Sequence, residues 1–154
     1  MDGKILNLLS LMEDKDNSVA YKALLELEEI AENFDVLYFN TDYFAQMVTS
    51  EKYAIKIRGF RLFCKQAKWD KDNVIDKRLN ETLSVLEDDR PTVVRQALTA
   101  LHDVVMYKPS LRNTIKASAL NIDYFRYKDT MHSLLQKDIR ELIELIDSFD
   151  EKQN

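Results

Sequence analysis

The sequence predicts an all-α fold, an α-α superhelix made of a short stack of about four helix pairs. Three observations predict it. Chain breakers are scarce: the 154 residues hold two glycines, Gly3 and Gly59, and two prolines, Pro91 and Pro109. Few stretches alternate apolar with polar residues as a half-buried strand does. One apolar template also recurs three times without gaps, which is the signature of a repeat architecture. Val19, Ala23, Leu24 and Leu27 match Ile55, Gly59, Phe60 and Phe63, and both sets match Val93, Ala97, Leu98 and Leu101. Gly59 follows Ala23 by 36 residues and Ala97 follows Gly59 by 38. Residues at these spacings share one side of a helix, and the small second member marks where a neighbouring helix approaches closely.

In chain order, each repeat reads as a first (A) helix, a polar turn and a second (B) helix. The A helices are expected at Lys4 to Met12, Thr41 to Val48, Asn73 to Glu87 and Ser110 to Leu120. The three template segments are B helices. A fourth B helix lies within Thr130 to Ile146, on a stripe of Met131, Leu134, Leu135, Ile139, Leu142, Ile143 and Ile146. Its poor match to the template suits a terminal repeat, which needs one polar outer face. Helix starts fall where side-chain oxygens or a proline suit the first turn: Asn17 or Ser18, Thr41 or Asp42, Ser50, Asp72 or Asn73, Pro91 and Ser110. One domain spanning 1–154 is expected, with repeats at about 1–36, 37–72, 73–109 and 110–149 and a frayed tail at 150–154.

Composition narrows the function. With 27 acidic against 22 basic residues the net charge is -5, which argues against unaided binding to a phosphate backbone. Cys64 is the only cysteine, so no disulfide framework or Cys-rich metal site forms within the chain, and a reducing cytoplasm fits. Packed among Phe60, Phe63 and Ala67, it reads as a core residue. The N-terminus is unlike a secretory signal. No apolar run approaches the roughly 20 residues that cross a bilayer. His102 and His132 match no metal-ligand pattern, and two isolated glycines make no phosphate loop. No cofactor, metal or catalytic residue is expected.

The stretch Asp88-Asp89-Arg90-Pro91-Thr92-Val93-Val94-Arg95-Gln96-Ala97-Leu98-Thr99-Ala100-Leu101 resembles a HEAT repeat, and the resemblance covers about three of the four repeats. It implies a short HEAT-like solenoid in which Asp89, in the inter-helix turn, and Arg95, early in the B helix, form a ladder between repeats. Arg95 aligns with Tyr21 and Ile57, so the other repeats lack this signature. The chain is also similar to small bacterial HEAT-like proteins, some of which carry the label SufBD, implying iron–sulfur cluster assembly.

Arg58, Arg61, Lys65 and Lys68 recur on one face of the second B helix. Shifted by one repeat, Lys65 aligns with Glu29 and Asp103, and Lys68 with Glu32. In a solenoid, aligned positions on adjacent B helices sit side by side. A charge ladder Glu29 to Lys65 to Asp103, with Glu32 to Lys68 beside it, is therefore expected. Arg58 and Arg61 have no aligned acid, which leaves Lys22, Arg58, Arg61 and Arg95 as a candidate concave partner-binding face. Reversing the charge of Arg58 and Arg61 is expected to weaken partner capture without lowering the melting temperature. Trp69 aligns with Tyr107 and is expected to pack between repeats. Tyr38, Phe39, Tyr43, Phe44 and Tyr53 should seal the first A/B junction, and any exposed remnant is a protein-docking patch.

The expected function is a non-enzymatic adaptor that offers a concave face to a protein or peptide. Two other readings are open: a nucleic-acid-binding protein like the HEAT-like DNA glycosylases, and self-association through the solenoid ends.

Overall fold

In the computed structural model, which describes residues 2–153 and the side chains of 2–150, each segment expected to be helical is helical. The fold is all-α: eight α-helices and five short 3-10 stretches, with no strand among the described residues. The chain divides into two compact units, Met1–Thr82 and Leu83–Asn154. The division falls within the third expected repeat, where the A segment changes from an α-helix to the 3-10 stretch Leu83–Glu87.

The first unit holds α1 (Gly3–Leu11), α2 (Asn17–Asn33), α3 (Thr41–Met47), α4 (Tyr53–Lys65) and α5 (Val74–Thr82). Helix α1 packs on α2, α2 and α3 pack on α4, and α5 lies against α3 and α4. The template supplies the core: Leu24, Leu27, Phe60 and Phe63 are fully buried, together with Phe44 and the expected core residue Cys64. Its first member does not. Val19 is exposed and Ile55 half-buried, whereas Val93, at the same third position of its helix in the second unit, is buried.

Gly59 shows why a small residue recurs. A Cβ placed there would fall against the Cβ of Met47 and 2.7 Å from the Phe44 carbonyl oxygen, so α3 and α4 meet backbone to backbone. Any larger side chain would have to push α3 away.

The helix ends are satisfied partly by local caps and partly by the neighbouring repeat. Asp16 accepts from the Ser18 amide at 2.9 Å to start α2. At the other end of α2, where no glycine follows, two carbonyls of the last turn lack intrahelical partners. The Lys68 ammonium donates to the Glu32 carbonyl at 2.6 Å and the Trp69 indole to the Ala31 carbonyl at 2.7 Å. Placing a cation at a helix C-terminus also suits the helix dipole. Trp69 thus ties the second repeat to the first, whereas the aligned Tyr107 is exposed.

Helix α5 starts on Asp70, whose carboxylate accepts from the amides of Val74 and Ile75, both at 2.9 Å. The Tyr38 hydroxyl donates to Asp70 at 2.7 Å and accepts from the Asp72 amide at 3.0 Å. Burial and these carboxylates push the Tyr38 phenol up to about 12. Asn73 takes the left-handed conformation, φ 57°, which asparagine tolerates better than branched residues. Asp70→Ala removes the cap and leaves three donors, the Val74 and Ile75 amides and the Tyr38 hydroxyl, without their acceptor. It is expected to cost about 1–2 kcal/mol, read as a lower urea midpoint, with Asp70→Asn retaining most of the stability.

The second unit holds the 3-10 stretch Leu83–Glu87, then α6 (Pro91–Tyr107), α7 (Arg112–Leu120) and α8 (Asp129–Gln153). Pro91 occupies the first turn of α6 as expected. Helices α6 and α7 pack on α8 and on each other around Val94, Leu98, Leu101, Ile115, Leu135, Leu142 and Ile146. Within the α8 stripe Leu134 is 37% exposed and Met131 and Ile143 are half-buried. The opposite face of α8 carries exposed Ser133, Gln136, Lys137, Arg140, Glu141 and Glu144, the polar outer surface that a terminal helix needs. Backbone helicity continues to Gln153, past the point where fraying was expected at 150, and Asn154 lies outside the described residues.

Arg112 is buried in this unit. Its Nε donates to the Val105 carbonyl at 2.8 Å, and its guanidinium lies 3.7 Å from the Phe149 ring centroid. Hydrogen bond and cation–π contact together offset the desolvation of the charge.

Candidate partner-binding surface

The cations of the second B helix turn inward. Arg58, expected on an open face, is only 5% exposed. It donates to the Met12 carbonyl at 3.1 Å and to Asn17 Oδ1 at 2.9 Å, bridging α4 to the turn between α1 and α2. Burial pulls its guanidinium down from the ordinary value. The reason is the position of α4, which packs against α2, α3 and α5 and has almost no solvent-facing side at its centre.

Arg61, expected to lack an acidic neighbour, meets Glu28 with two nitrogens at 3.1 and 2.6 Å. It also stands 5.7 Å from the Tyr21 ring centroid. Desolvation lowers its pKa, but the Glu28 hydrogen bond and charge outweigh that and leave it raised. A forked Arg–carboxylate pair of this kind gains geometric specificity as well as energy.

A ladder between α2 and α4 exists, but on different rungs from those expected. Lys65 pairs with Glu32, one turn further along α2 than Glu29. Glu29 is exposed, and its carboxylate has no cation partner among the described residues. Lys68 does reach Glu32, though at the main-chain carbonyl. The rungs Glu28–Arg61 and Glu32–Lys65 each span 33 residues against the 36-residue repeat, so aligned positions do not stand level. Asp103 lies half-buried on α6.

Of the four residues assigned to a concave face, only Lys22 is an exposed cation without an ion pair. Arg95, in the second unit, pairs with Asp138 of α8 at 2.6 Å, which raises its pKa. Asp89, the other residue of the implied HEAT ladder, pairs with Arg126. Both residues therefore reach across to the segment that forms the fourth repeat, as a ladder between repeats requires. Arg126 also donates to the Glu87 carbonyl at 3.0 Å, and the Tyr127 hydroxyl donates to that of Asp88.

Large apolar side chains are also open on the surface. In the connection between α2 and α3, Leu37 and Tyr38 are buried, and the residues on either side are forced out. Phe34 is 61% exposed, Val36 41% and Phe39 89%. Tyr38 and Phe44 do seal the junction, and Tyr43 and Tyr53 are partly exposed at 40% and 39%. Tyr43 donates to Glu13 at 2.6 Å, and burial together with that carboxylate pushes its phenol up to about 12. In the second unit Phe125, 69% exposed, stands beside Tyr124 and His132 at centroid distances of 4.5 and 5.2 Å.

Phe34 and Val36 escaped the sequence reading because a turn has no periodicity to mark an apolar residue as facing outward. The outward position of Phe39 was visible only as a surplus of aromatics. No group of three or more His, Cys, Asp or Glu side chains among the described residues could hold a metal ion. No helix among them is long and apolar enough to cross a membrane. No family model, curated protein or solved structure matches the chain at a significant level.

Proposed function

We propose that the chain is a non-enzymatic adaptor of the HEAT-like kind, which binds a protein or peptide partner through its inter-helix connections and works in a reducing bacterial cytoplasm. One observation carries this reading: large apolar side chains stand exposed in the connections, Phe34 and Phe39 before α3 and Phe125 before α8, while most B-helix cations are tied to their own fold. Exposed aromatics on a fixed backbone lose little entropy on binding and supply large contact areas. The pairing of consecutive helices, the close approach at Gly59 and the sole, buried cysteine support the HEAT-like and cytoplasmic parts of the proposal.

Affinity capture from the native cytoplasm with the whole chain as bait, read by mass spectrometry, tests it. Specific, near-stoichiometric enrichment of one or a few proteins is the expected result. Enrichment of nothing above a charge-matched control bait contradicts it. The nucleic-acid reading loses its main support once Arg58 and Arg61 are engaged inside the fold. An anisotropy titration with duplex DNA at about 50 mM salt is expected to show no binding, where a phosphate-contacting protein would bind most tightly.

A further inference from the structure

The α2–α3 connection combines two properties that the connection before α8 does not share. From Glu26 to Asp42 the chain carries six acids, Glu26, Glu28, Glu29, Glu32, Asp35 and Asp42, and no lysine or arginine. Three of these are used internally: Glu28 by Arg61, Glu32 by Lys65 and Asp42 by Arg78. Glu26, Glu29 and Asp35 have no cation partner among the described residues. Phe34, Val36 and Phe39 project from the same short stretch of backbone. By contrast, the stretch around Phe125 balances Asp123 and Asp129 against Arg126 and Lys128.

The backbone beneath the three apolar side chains is held firmly. Leu37 is fully buried, Tyr38 hydrogen-bonds Asp70, and Thr41 donates to the Tyr38 carbonyl at 2.5 Å. The apolar groups are therefore presented with little left to order on binding. Unpaired carboxylates in the same stretch of chain as exposed apolar groups repel acidic partners and anionic lipid surfaces, and they attract cations over about a Debye length.

We propose that Phe34, Val36 and Phe39, with Asp35 between them in the chain and Glu26 and Glu29 on the preceding turns of α2, form the docking site for a basic amphipathic segment of a partner protein. Its apolar side chains cover the aromatics and its Lys or Arg residues meet the free carboxylates. This rests on the adaptor reading and names the partner chemistry.

Fluorescence anisotropy with a labelled Leu/Lys amphipathic peptide of about 18 residues, roughly five helical turns, tests it on the whole chain. A Leu/Glu peptide of the same apolar pattern is the charge-reversed probe. The Leu/Lys peptide is expected to bind at least about tenfold more tightly than the Leu/Glu peptide, and to weaken as salt rises from roughly 50 to 500 mM. Phe34→Ser/Phe39→Ser, at exposed positions where folding should be preserved, is expected to lose about tenfold or more. Glu29→Gln/Asp35→Asn keeps the aromatics and should weaken Leu/Lys binding at low salt only. Equal binding of the two probes, or unchanged affinity in either variant, overturns the proposal.

Sedimentation velocity adds a further outcome: a dimer that Phe34→Ser/Phe39→Ser dissolves assigns the patch to a second copy and overturns it too. Failure here is distinguishable from failure of the adaptor reading. If the aromatic variant captures the same proteins as the wild type, this site falls and the adaptor reading stands.

Discussion

Gly59→Ala is expected to destabilise the first unit by about 3 kcal/mol, which for a chain of this length lowers Tm by roughly 10 °C. Helix propensity alone points the other way, because alanine in a helix interior is favoured over glycine by about 1 kcal/mol. The sign of the effect therefore discriminates. The new methyl would meet the Met47 Cβ and the Phe44 carbonyl oxygen, and neither is the yielding end of a flexible side chain. Relief requires α3 to move off α4, loosening the buried Phe44 and Phe60. Urea unfolding followed by far-UV circular dichroism measures it. Ala97→Gly, at the equivalent position of the third template, is expected to cost only about 1 kcal/mol. A Gly59→Ala variant at least as stable as the wild type would refute the close approach.

Arg58→Met is expected to cost about 2–3 kcal/mol, although methionine keeps much of the apolar stem. The loss comes from two acceptors, the Met12 carbonyl and Asn17 Oδ1, deprived of a charged donor in a buried setting. Arg58→Glu should be worse, since it buries a carboxylate against those same oxygens. This reverses the expectation that charge reversal there would leave the melting temperature unchanged. A double-mutant cycle with Asn17→Ala isolates the pair, and a coupling of about 1 kcal/mol or more is expected between groups in direct contact. Additive losses would mean that Arg58 stabilises through its packing alone.

Helix positions were legible in the sequence because they depend on local signals: period, breakers and caps. The apolar template located α2, α4 and α6, and the recurring small residue foretold the contact at Gly59. Which charged residues face solvent was much less legible. Arg58 carries the most hydrophilic side chain of its helix turn, yet α4 is hemmed in by three helices and swallows it. The rung expected between Glu29 and Lys65 falls on Glu32 for a different reason. Counting by repeat assumes that neighbouring B helices stand at equal height, and the actual rungs Glu28–Arg61 and Glu32–Lys65 run three residues off that register. A search for acid–base pairs repeated at one common offset would have found them, since both span 33 residues. Val36 and Phe34 left no such trace, because their exposure follows from the burial of Leu37 and Tyr38 beside them.

The central claim is that partner binding depends on the aromatic connection of the first unit and not on the basic stripe. Quantitative capture with three baits tests it most directly: the wild-type chain, Phe34→Ser/Phe39→Ser, and Lys22→Glu, which alters the one exposed, unpaired cation of the four first suspected. The predicted result is that Lys22→Glu retains the wild-type set of proteins and the aromatic variant loses it. Retention by the aromatic variant together with loss in Lys22→Glu would contradict the claim and return the site to the cationic face.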